Sequence, residues 1–182
     1  DAGFLADMIV HHNGAVALGF DYLPREHDPV VGHFAREIVS TQSAEMAVMS
    51  LLLADAGNPA IANDDVAMEW MDEPVDAHDM PGLASDADFD ALRAATGVSA
   101  DDVFTRLMIR HHAAGIAMAN RAAEMGENPR VRRLARTMAR VQRREVADMN
   151  RRRVLLGLTA VGVEGATSGD GAATDGDAGH GH

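Results

Sequence analysis

The sequence predicts an all-α protein: a four-helix bundle of two repeated antiparallel helix pairs, with a long connector and a disordered C-terminal tail. First, residues 4–12 (FLADMIVHH) return as residues 104–112 (FTRLMIRHH). Second, apolar residues recur at helical spacing over long segments that end at Gly or Pro. Third, the composition is 47% hydrophobic but only 4% aromatic, which favours packed helices over sheet.

The repeat has two parts in each copy, a His-His segment and a Gln-x-x-Glu segment, and both return after 100 residues. A repeat of this kind indicates one supersecondary unit present twice. The second part is formed by Gln42, Glu45 and Met49, which return as Gln142, Glu145 and Met149.

The composition excludes several classes of protein. A net charge of −12 argues against nucleic-acid binding. The absence of Cys removes disulfides, thiolate metal sites and cysteine nucleophiles. No apolar run approaches the ~20 residues that a membrane-spanning helix needs. The sequence opens at Asp1 rather than at Met, which is expected if an N-terminal piece was removed, either by processing, as for a signal peptide, or by the choice of the expressed fragment.

The first helix pair is predicted over residues 1–58. Its first helix covers residues 1–23, and its second runs from Val30 to Ala56, where a Gly-Asn-Pro sequence ends it. At 100° per residue each helix carries one inward-facing stripe. The stripes are Phe4, Met8, His11, Ala15, Leu18 and Tyr22, and Val31, Ala35, Ile38, Gln42, Glu45, Met49 and Leu53.

The connector is predicted over residues 59–99. It is acidic and contains three Pro and the only Trp of the chain, Trp70. A short helix is predicted from Asp86 to Ala95, ended by Gly97. We expect the rest to follow an ordered course over the bundle, anchored by Trp70.

The second helix pair is predicted over residues 100–158. The segment Ser99-Ala100-Asp101-Asp102 resembles a capping box and opens a helix of residues 100–125. Pro129 lies in the first turn of the next helix, which continues to Leu158. The Arg-rich face of that helix is expected to be a solvated surface, the alternative being a surface for lipid headgroups or an acidic partner. Residues 159–182 are expected to be a disordered Gly/Asp/His tail.

Polar residues inside the apolar stripes predict a polar core layer. Burying an amide or a carboxylate without a polar partner costs several kcal/mol, so these groups must meet polar side chains from the facing helices. The four paired His are the only such residues on the facing stripes. We therefore predict a layer of His11, His12, His111, His112, Gln42, Glu45, Gln142 and Glu145, lined by Met8, Met49, Met108 and Met149.

This layer has two interpretations. It is either a hydrogen-bonded network that specifies packing, with each Glu accepting from an imidazole and each Gln bridging, or a metal site. Duplicated His pairs with a Met one turn earlier and a Glu opposite favour the metal. Imidazole and carboxylate suit Zn, Cu(II), Fe or Mn, and imidazole with thioether suits Cu(I). A carboxylate-bridged di-iron centre needs about four Glu and two Glu-x-x-His motifs, which do not occur here.

The eleven Met of the chain favour copper among these metals. The predicted ligands are Met8, His11, His12, Glu45, Met49, Met108, His111, His112, Glu145 and Met149, with Gln42 and Gln142 supporting them. Further candidates are Met71, His78 and Met80 in the connector, together with Met68, and His180 and His182 in the tail. Core filler is the interpretation for Met46, Met118, Met125 and Met138, and a surface position for His27 and His33.

At these motifs the sequence resembles the family of the domain of unknown function 305. The likeness covers residues 1–158 and includes the connector segments Trp70-Met71 and 80–85, although Leu83 stands where the family often has Met. The resemblance implies a ferritin-like four-helix bundle, found outside the cytoplasm as a periplasmic, secreted or lipid-anchored bacterial protein. It also implies copper binding at the repeated motif positions named above.

The function that follows is copper sequestration or handling without catalysis. The expected partner is the metal ion, with a copper-transfer protein, or a membrane reached through an N-terminal anchor, as further candidates. One alternative is a ferritin-like metalloenzyme with a Zn, Fe or Mn centre, in which Glu45 or Glu145 is the general base. The other is a structural helical module with a buried His-Glu network.

Overall fold

A computed structural model of the chain describes residues 1–57 and 66–162. In this part of the chain the four long helices are confirmed, with ends close to those predicted. The elements are the helices α1 (Ala2–Tyr22), α2 (Pro29–Asp55), α3 (Asp86–Ala94), α4 (Val98–Met125) and α5 (Pro129–Leu155), and the antiparallel strands β1 (Val66–Ala67) and β2 (Val75–Asp76).

The second helix of each pair begins in the same way. Asp28 caps α2 by accepting from the backbone N–H groups of Val30 and Val31, and Asn128 caps α5 by accepting from Arg130 N–H. A Pro follows each capping residue in the first turn, where its missing N–H costs nothing. The repeat therefore includes the local signal that starts the helix.

The predicted capping box at Ser99 is wrong. The helix α4 begins at Val98, after Gly97 in a positive-φ conformation (φ 56°), and has no side-chain cap. The capping box lies instead at the start of α3, where Ser85 and Asp88 bond each other's backbone N–H. Gly97 thus precedes α4 rather than directly ending the short helix, whose last residue is Ala94.

Two apolar clusters divide the core. The first combines the start of α1 with the ends of α2 and α4 and the start of α5, and the second combines the opposite ends. Hence α1 and α5 run in one direction and α2 and α4 in the other. The chain between α2 and α4 must run the length of the bundle, the single long crossover of ferritin-like folds. The first cluster includes Phe4, Met8, Met49, Leu53, Met118 and Met138, and the second includes Leu18, Tyr22, Ile38, Phe104, Met108 and Met149.

The connector is ordered over its described residues and is held to α1. The carboxylate of Asp7 accepts from the Trp70 indole N–H and from the Met68 backbone N–H, both at 2.8 Å. The Trp70 ring also meets Phe4 edge-on, with ring centroids 5.6 Å apart. The predicted anchoring role of Trp70 is consistent with these contacts.

An ion pair that a buried arginine makes near the end of α5 was not singled out by the sequence analysis. Arg153 is only 3% exposed. Its guanidinium donates to the Asp102 carboxylate and to the Thr105 hydroxyl, both at 2.7 Å. In contrast, the arginines expected on the solvated face are all exposed: Arg133, Arg136, Arg140, Arg144 and Arg151.

After α5 the chain turns back along the helix. The side-chain amide of Asn150 bonds both backbone groups of Val161, and Arg153 donates to the carbonyl of Thr159. These residues fall at the start of the predicted tail, whose remainder, 163–182, lies outside the described residues. Among the helices described, none is both long and apolar enough to cross a membrane.

Candidate metal centre

The four paired His come from the middle of α1 and α4, between the two apolar clusters. In each helix the two His follow a core Met by three and four residues, which brings them to the inward face one turn later. All four are fully buried, and Gln42 and Gln142 are 3% and 2% exposed. The predicted polar layer is therefore present, and it contains His11, His12, His111 and His112.

Each copy contributes one His–Glu pair. His12 Nε2 lies 2.9 Å from a carboxylate oxygen of Glu45, and His112 Nε2 lies 2.7 Å from one of Glu145. The Glu side chains are 16% and 25% exposed, so their carboxylates lie at the edge of the layer. Since a carboxylate accepts, each Nε2 carries the proton, and the Nδ1 of a neutral ring keeps its lone pair.

The other two His stack on each other where α1 meets α4. The rings of His11 and His111 are 3.8 Å apart at their centroids, with an angle of 19° between planes. His11 Nε2 donates to the carbonyl oxygen of Pro81 in the connector at 3.2 Å. The backbone of the connector therefore fixes the tautomer of His11 in the way that Glu45 fixes that of His12.

Several buried nitrogens of the layer have no hydrogen-bond partner among the described residues. They include Nδ1 of all four His and Nε2 of His111. The amides of Gln42 and Gln142 are also unpartnered, so the bridging role expected for Gln in a purely hydrogen-bonded network is not seen. Leaving such groups unsatisfied costs about 1–3 kcal/mol each, a cost that a bound ion would remove at the imidazole nitrogens.

Three of these imidazoles converge. His11, His12 and His111 each offer one ring nitrogen, and these nitrogens lie within 4.8 Å of one another. This spacing and the unpartnered lone pairs fit a transition-metal ion of the kind that imidazole binds. Because His111 comes from the second copy, the three nitrogens form one shared cluster rather than one cluster for each copy.

The buried environment keeps the stacked imidazoles neutral. Burial, together with the charge of the neighbouring His12, lowers the pKa of His11 to about 3. Burial also holds the pKa of His111 well below its usual value, with the adjacent His11 acting in the same direction. Both rings are therefore unprotonated at neutral pH, the form that binds metal.

The four Met of the repeated motif are fully buried on either side of the layer. Met8 and Met49 belong to the first apolar cluster, and Met108 and Met149 belong to the second. Thioether groups are therefore buried on both sides of the imidazoles. Thioether with imidazole is a donor set that suits Cu(I).

The connector candidates divide into two groups. Met80 is 2% exposed and directly precedes Pro81, whereas Met71 is half-buried and His78 is exposed. His78 lies beside an open groove and is not in the imidazole cluster. His180 and His182 lie outside the described residues.

The two other His differ from each other. His33 is exposed, as expected. His27 is partly buried: its ring packs on that of Tyr22 with centroids 5.1 Å apart, and its Nδ1 lies 2.5 Å from the Arg25 carbonyl oxygen. The expectation of a simple surface position was therefore wrong for His27.

Pro81 and Gly82 are site residues that the sequence analysis missed. A Cβ added to Gly82 would lie 2.9 Å from the Cα of His111, so only Gly lets the connector approach α4 here. Gly82 also has φ +86°, a conformation that glycine tolerates best. The signal available in the sequence was the Pro-Gly pair itself, since that dipeptide marks a tight turn.

The geometry agrees with comparisons to known proteins. The family profile of "Domain of unknown function (DUF305)" matches residues 1–153. A crystal structure of a "putative secreted protein DUF305" from Streptomyces coelicolor is 31% identical with a TM-score of 0.79, covering 88% of this chain and 95% of that one. No curated protein matches the chain.

Two further solved structures share the fold. A DUF305 fragment from Deinococcus radiodurans is 30% identical, with a TM-score of 0.69, and covers 86% of this chain and 94% of its own. CopM in its Cu(I)-bound form is 26% identical, with a TM-score of 0.64, and covers 86% of this chain and 96% of its own. The fold predicted from the repeat is thus that of solved proteins, one of which holds copper.

Proposed function

The chain belongs to the DUF305 family, and from this premise we propose that it is a copper-binding protein that holds Cu(I) in its polar core layer without catalysing a reaction. The observation that carries the proposal is the cluster of buried ring nitrogens offered by His11, His12 and His111. Since both copies of the repeat contribute to this cluster, the proposed stoichiometry at the core is one copper ion per chain.

The chemistry of the donors supports Cu(I). Imidazole alone would also suit Zn or Cu(II), but the layer is bordered by the thioether residues Met8, Met49, Met108 and Met149. The likeness to CopM, solved in Cu(I)-bound and Cu(II)-bound forms, supports copper, and the choice of Cu(I) rests on the thioethers. Because His11 and His111 are already neutral, binding need not displace protons from them at neutral pH.

We further propose that Glu45 and Glu145 orient imidazoles and are not themselves ligands. Each accepts from the Nε2 of a His whose Nδ1 has no partner among the described residues. Metal-binding His commonly donate their second ring N–H to a carboxylate or carbonyl, which fixes the ring and raises its basicity. By the same reasoning the Pro81 carbonyl orients His11.

The absence of catalysis is part of the proposal. A general base at the core would have to be Glu45 or Glu145, and each carboxylate is engaged with an imidazole at hydrogen-bond distance. The proposed role is therefore to sequester copper or pass it on. A location outside the cytoplasm is proposed with it, in line with the name of the Streptomyces coelicolor relative.

The direct test is a competition titration of the purified apo protein against a coloured Cu(I) chelator. We expect one tightly bound Cu(I), and its loss in the triple variant His11→Ala, His12→Ala, His111→Ala. The exposed His33→Ala is the matched control and should bind as the parent does. Far-UV circular dichroism checks that each variant remains helical.

Two results would contradict the proposal. Unchanged Cu(I) binding by a folded triple variant would mean that the copper site is not in the core layer, and Met80 and the connector would be the next candidates. Stoichiometric Fe, Mn or Zn in protein isolated without added metal would favour the metalloenzyme.

The role of the carboxylates needs a second measurement. Glu45→Gln keeps an acceptor for His12, so we expect the stoichiometry to stay at one and the affinity to fall by about 10–100-fold. Loss of stoichiometric binding in this variant would instead make Glu45 a ligand. The same pair of outcomes applies to Glu145→Gln.

A further inference from the structure

A groove on the outer side of α4 and α5 has the character of a site for carboxylate groups. It has a volume of about 630 Å³ and is lined by four arginines and one carboxylate, that of Glu124. The arginines are Arg121 on α4 and Arg132, Arg136 and Arg143 on α5. This concentration of positive charge stands out in a chain with a net charge of −12.

These four arginines have no ion-pair partner within the described residues. Eight other arginines form salt bridges, including the exposed Arg144 and Arg151, which share Asp148. Arg143 is held in the groove by a hydrogen bond to Asn120 Oδ1 at 2.8 Å. The buried Nε of Arg132 has no acceptor in the part of the chain that is described. Guanidinium groups without carboxylates of their own suit an acidic ligand, because their N–H donors match the two oxygens of a carboxylate.

The described part of the chain ends next to the face of α5 that carries the groove arginines. Val161 is bonded through both backbone groups to Asn150 on α5. At 100° per residue, Asn150 lies on the same stripe of the helix as Arg132, Arg136 and Arg143, all within about 40°. The stretch after α5 runs back along the helix as far as Asn150, and Arg143 lies about 10 Å further in the same direction along α5, at 1.5 Å per residue.

The residues that follow have the opposite charge and sufficient length. Residues 163–182 contain Glu164, Asp170, Asp175 and Asp177 and no Lys or Arg. The distance along α5 from Asn150 to Arg132 is about 27 Å. An extended chain covers this distance in about eight residues, so the twenty residues after Gly162 are more than enough.

We propose that the arginine groove binds the acidic C-terminal segment of this same chain, residues 163–182, through its carboxylates. Exposed ion pairs contribute only about 0–1 kcal/mol each, so the contact depends on several pairs together. It also depends on the tether, which makes the segment's effective concentration at the groove of the order of millimolar. The proposal does not depend on copper.

The test uses the full apo chain, which has no native Cys. A nitroxide spin label on Ser168→Cys should broaden backbone NMR signals along the Arg132–Arg143 stripe more than those around Val48 on α2. The broadening should disappear in about 1 M NaCl, where the Debye length is about 3 Å. The broadening should also disappear in two multiple variants. The neutralised-segment variant combines Glu164→Gln, Asp170→Asn, Asp175→Asn and Asp177→Asn, and the groove variant combines Arg132→Gln, Arg136→Gln and Arg143→Gln.

The matched control is Arg144→Gln, Arg151→Gln, which removes two arginines of the same helix outside the groove and should leave the broadening unchanged. Broadening that is uniform over the surface, or insensitive to salt and to the groove variant, would overturn the proposal. A further sample mixes spin-labelled chain without isotopes with isotope-labelled chain that carries no spin label. Broadening in this mixture equal to that within one chain would mean that a second copy occupies the groove. If the segment occupies the groove, phosphatidylglycerol vesicles should bind the parent more weakly than the neutralised-segment variant. Equal binding to both proteins would show that the groove is open to lipid headgroups and would also overturn the proposal.

Discussion

His12 and His112 are held in the same way in the two halves of the bundle, whereas His11 and His111 are not. The first two donate to Glu45 and Glu145 at 2.9 and 2.7 Å. His11 donates to the Pro81 carbonyl, whereas His111 makes no hydrogen bond of good geometry among the described residues and meets only the Gly82 backbone, which acts to raise its pKa. The halves are equivalent for one His and different for the other.

The difference follows from where the partner residue is encoded. Glu45 and Glu145 belong to the repeat, so duplication reproduces the pair. The connector occurs once, between the copies, so the stacked rings meet different backbone groups of it: the Pro81 carbonyl at His11 and the Gly82 backbone at His111. A duplicated sequence therefore builds a symmetric site only where the repeat itself supplies the contacts. The three-nitrogen cluster contains His12, which is held by a Glu of the repeat, and His11 and His111, which meet the connector.

The largest expected effect is acid destabilisation of the apo protein by the two stacked imidazoles. The pKa of His11 in the native state is about 3, against about 6.5 unfolded, and that of His111 is also lowered. Between these values the unfolded chain binds more protons, so stability is complete above pH 6.5 and falls as pH decreases. We expect His11 to account for a loss of about 2 kcal/mol between pH 7 and pH 5, and His111 to add a loss of the same sign, measured by urea unfolding.

Variants can assign this loss to the two halves. His11→Gln and His111→Gln should each reduce the pH dependence, and His33→Gln, at an exposed position, should leave it unchanged. A parent protein equally stable at pH 7 and pH 5 would contradict the neutral, buried state of the stacked pair.

A smaller effect is expected where the connector meets the second half. In Gly82→Ala the new Cβ would lie 2.9 Å from Ala114 Cβ and His111 Cα, at a residue with φ +86°. We expect a destabilisation of roughly 2–4 kcal/mol from overlap and backbone strain together. Gly57→Ala is the control, because φ is +80° but no atom of the described residues lies within 4 Å of the new Cβ, so only about 1–2 kcal/mol should be lost.

The free energy of unfolding of both variants is measured by urea unfolding. Equal losses in Gly82→Ala and Gly57→Ala would mean that the connector is not packed tightly on α4. In that case the asymmetry between His11 and His111 would lose its physical cause.

The smallest effect is expected from making the halves more alike. Ala15 in the first copy corresponds to Gly115 in the second, where a Cβ would lie 2.6 Å from Gln142 Oε1. In Gly115→Ala the Gln142 side chain can move, and the helix gains about 0.5–1 kcal/mol from Ala, so stability should change by less than about 1 kcal/mol. A loss above about 2 kcal/mol in thermal unfolding would show that the Gln142 amide is held in place.

The fold and the His–Glu pairs could be predicted from the sequence for a physical reason. Helical periodicity places residues on a face, and a buried Glu45 must meet a polar group, which left His12 or its neighbour as the partner. The offset of 100 residues then extended the argument to Glu145 and His112. Patterns within a helix and between repeated helices are thus legible in the residues alone.

The remaining contacts depend on backbone positions that side-chain patterns do not encode. The Pro81 carbonyl could not be predicted, because any residue has a carbonyl and its position depends on the connector's course. Ser99 and Ser85 both stand three residues before an Asp, and only the structure distinguishes the true cap. Arg153 occupies the position of Leu53 in the first copy, so the repeat predicted an apolar residue where a buried arginine pairs with Asp102.

The contact between Asp7 and Trp70 has a practical consequence. The only indole of the chain lies in the segment that crosses the bundle, ten residues before Met80, and is held by one hydrogen bond to α1 and an edge-on contact with Phe4. Its fluorescence is therefore a single-residue probe of whether this segment is seated on the helices. The protein carries its own optical reporter for movement of the chain that covers His11.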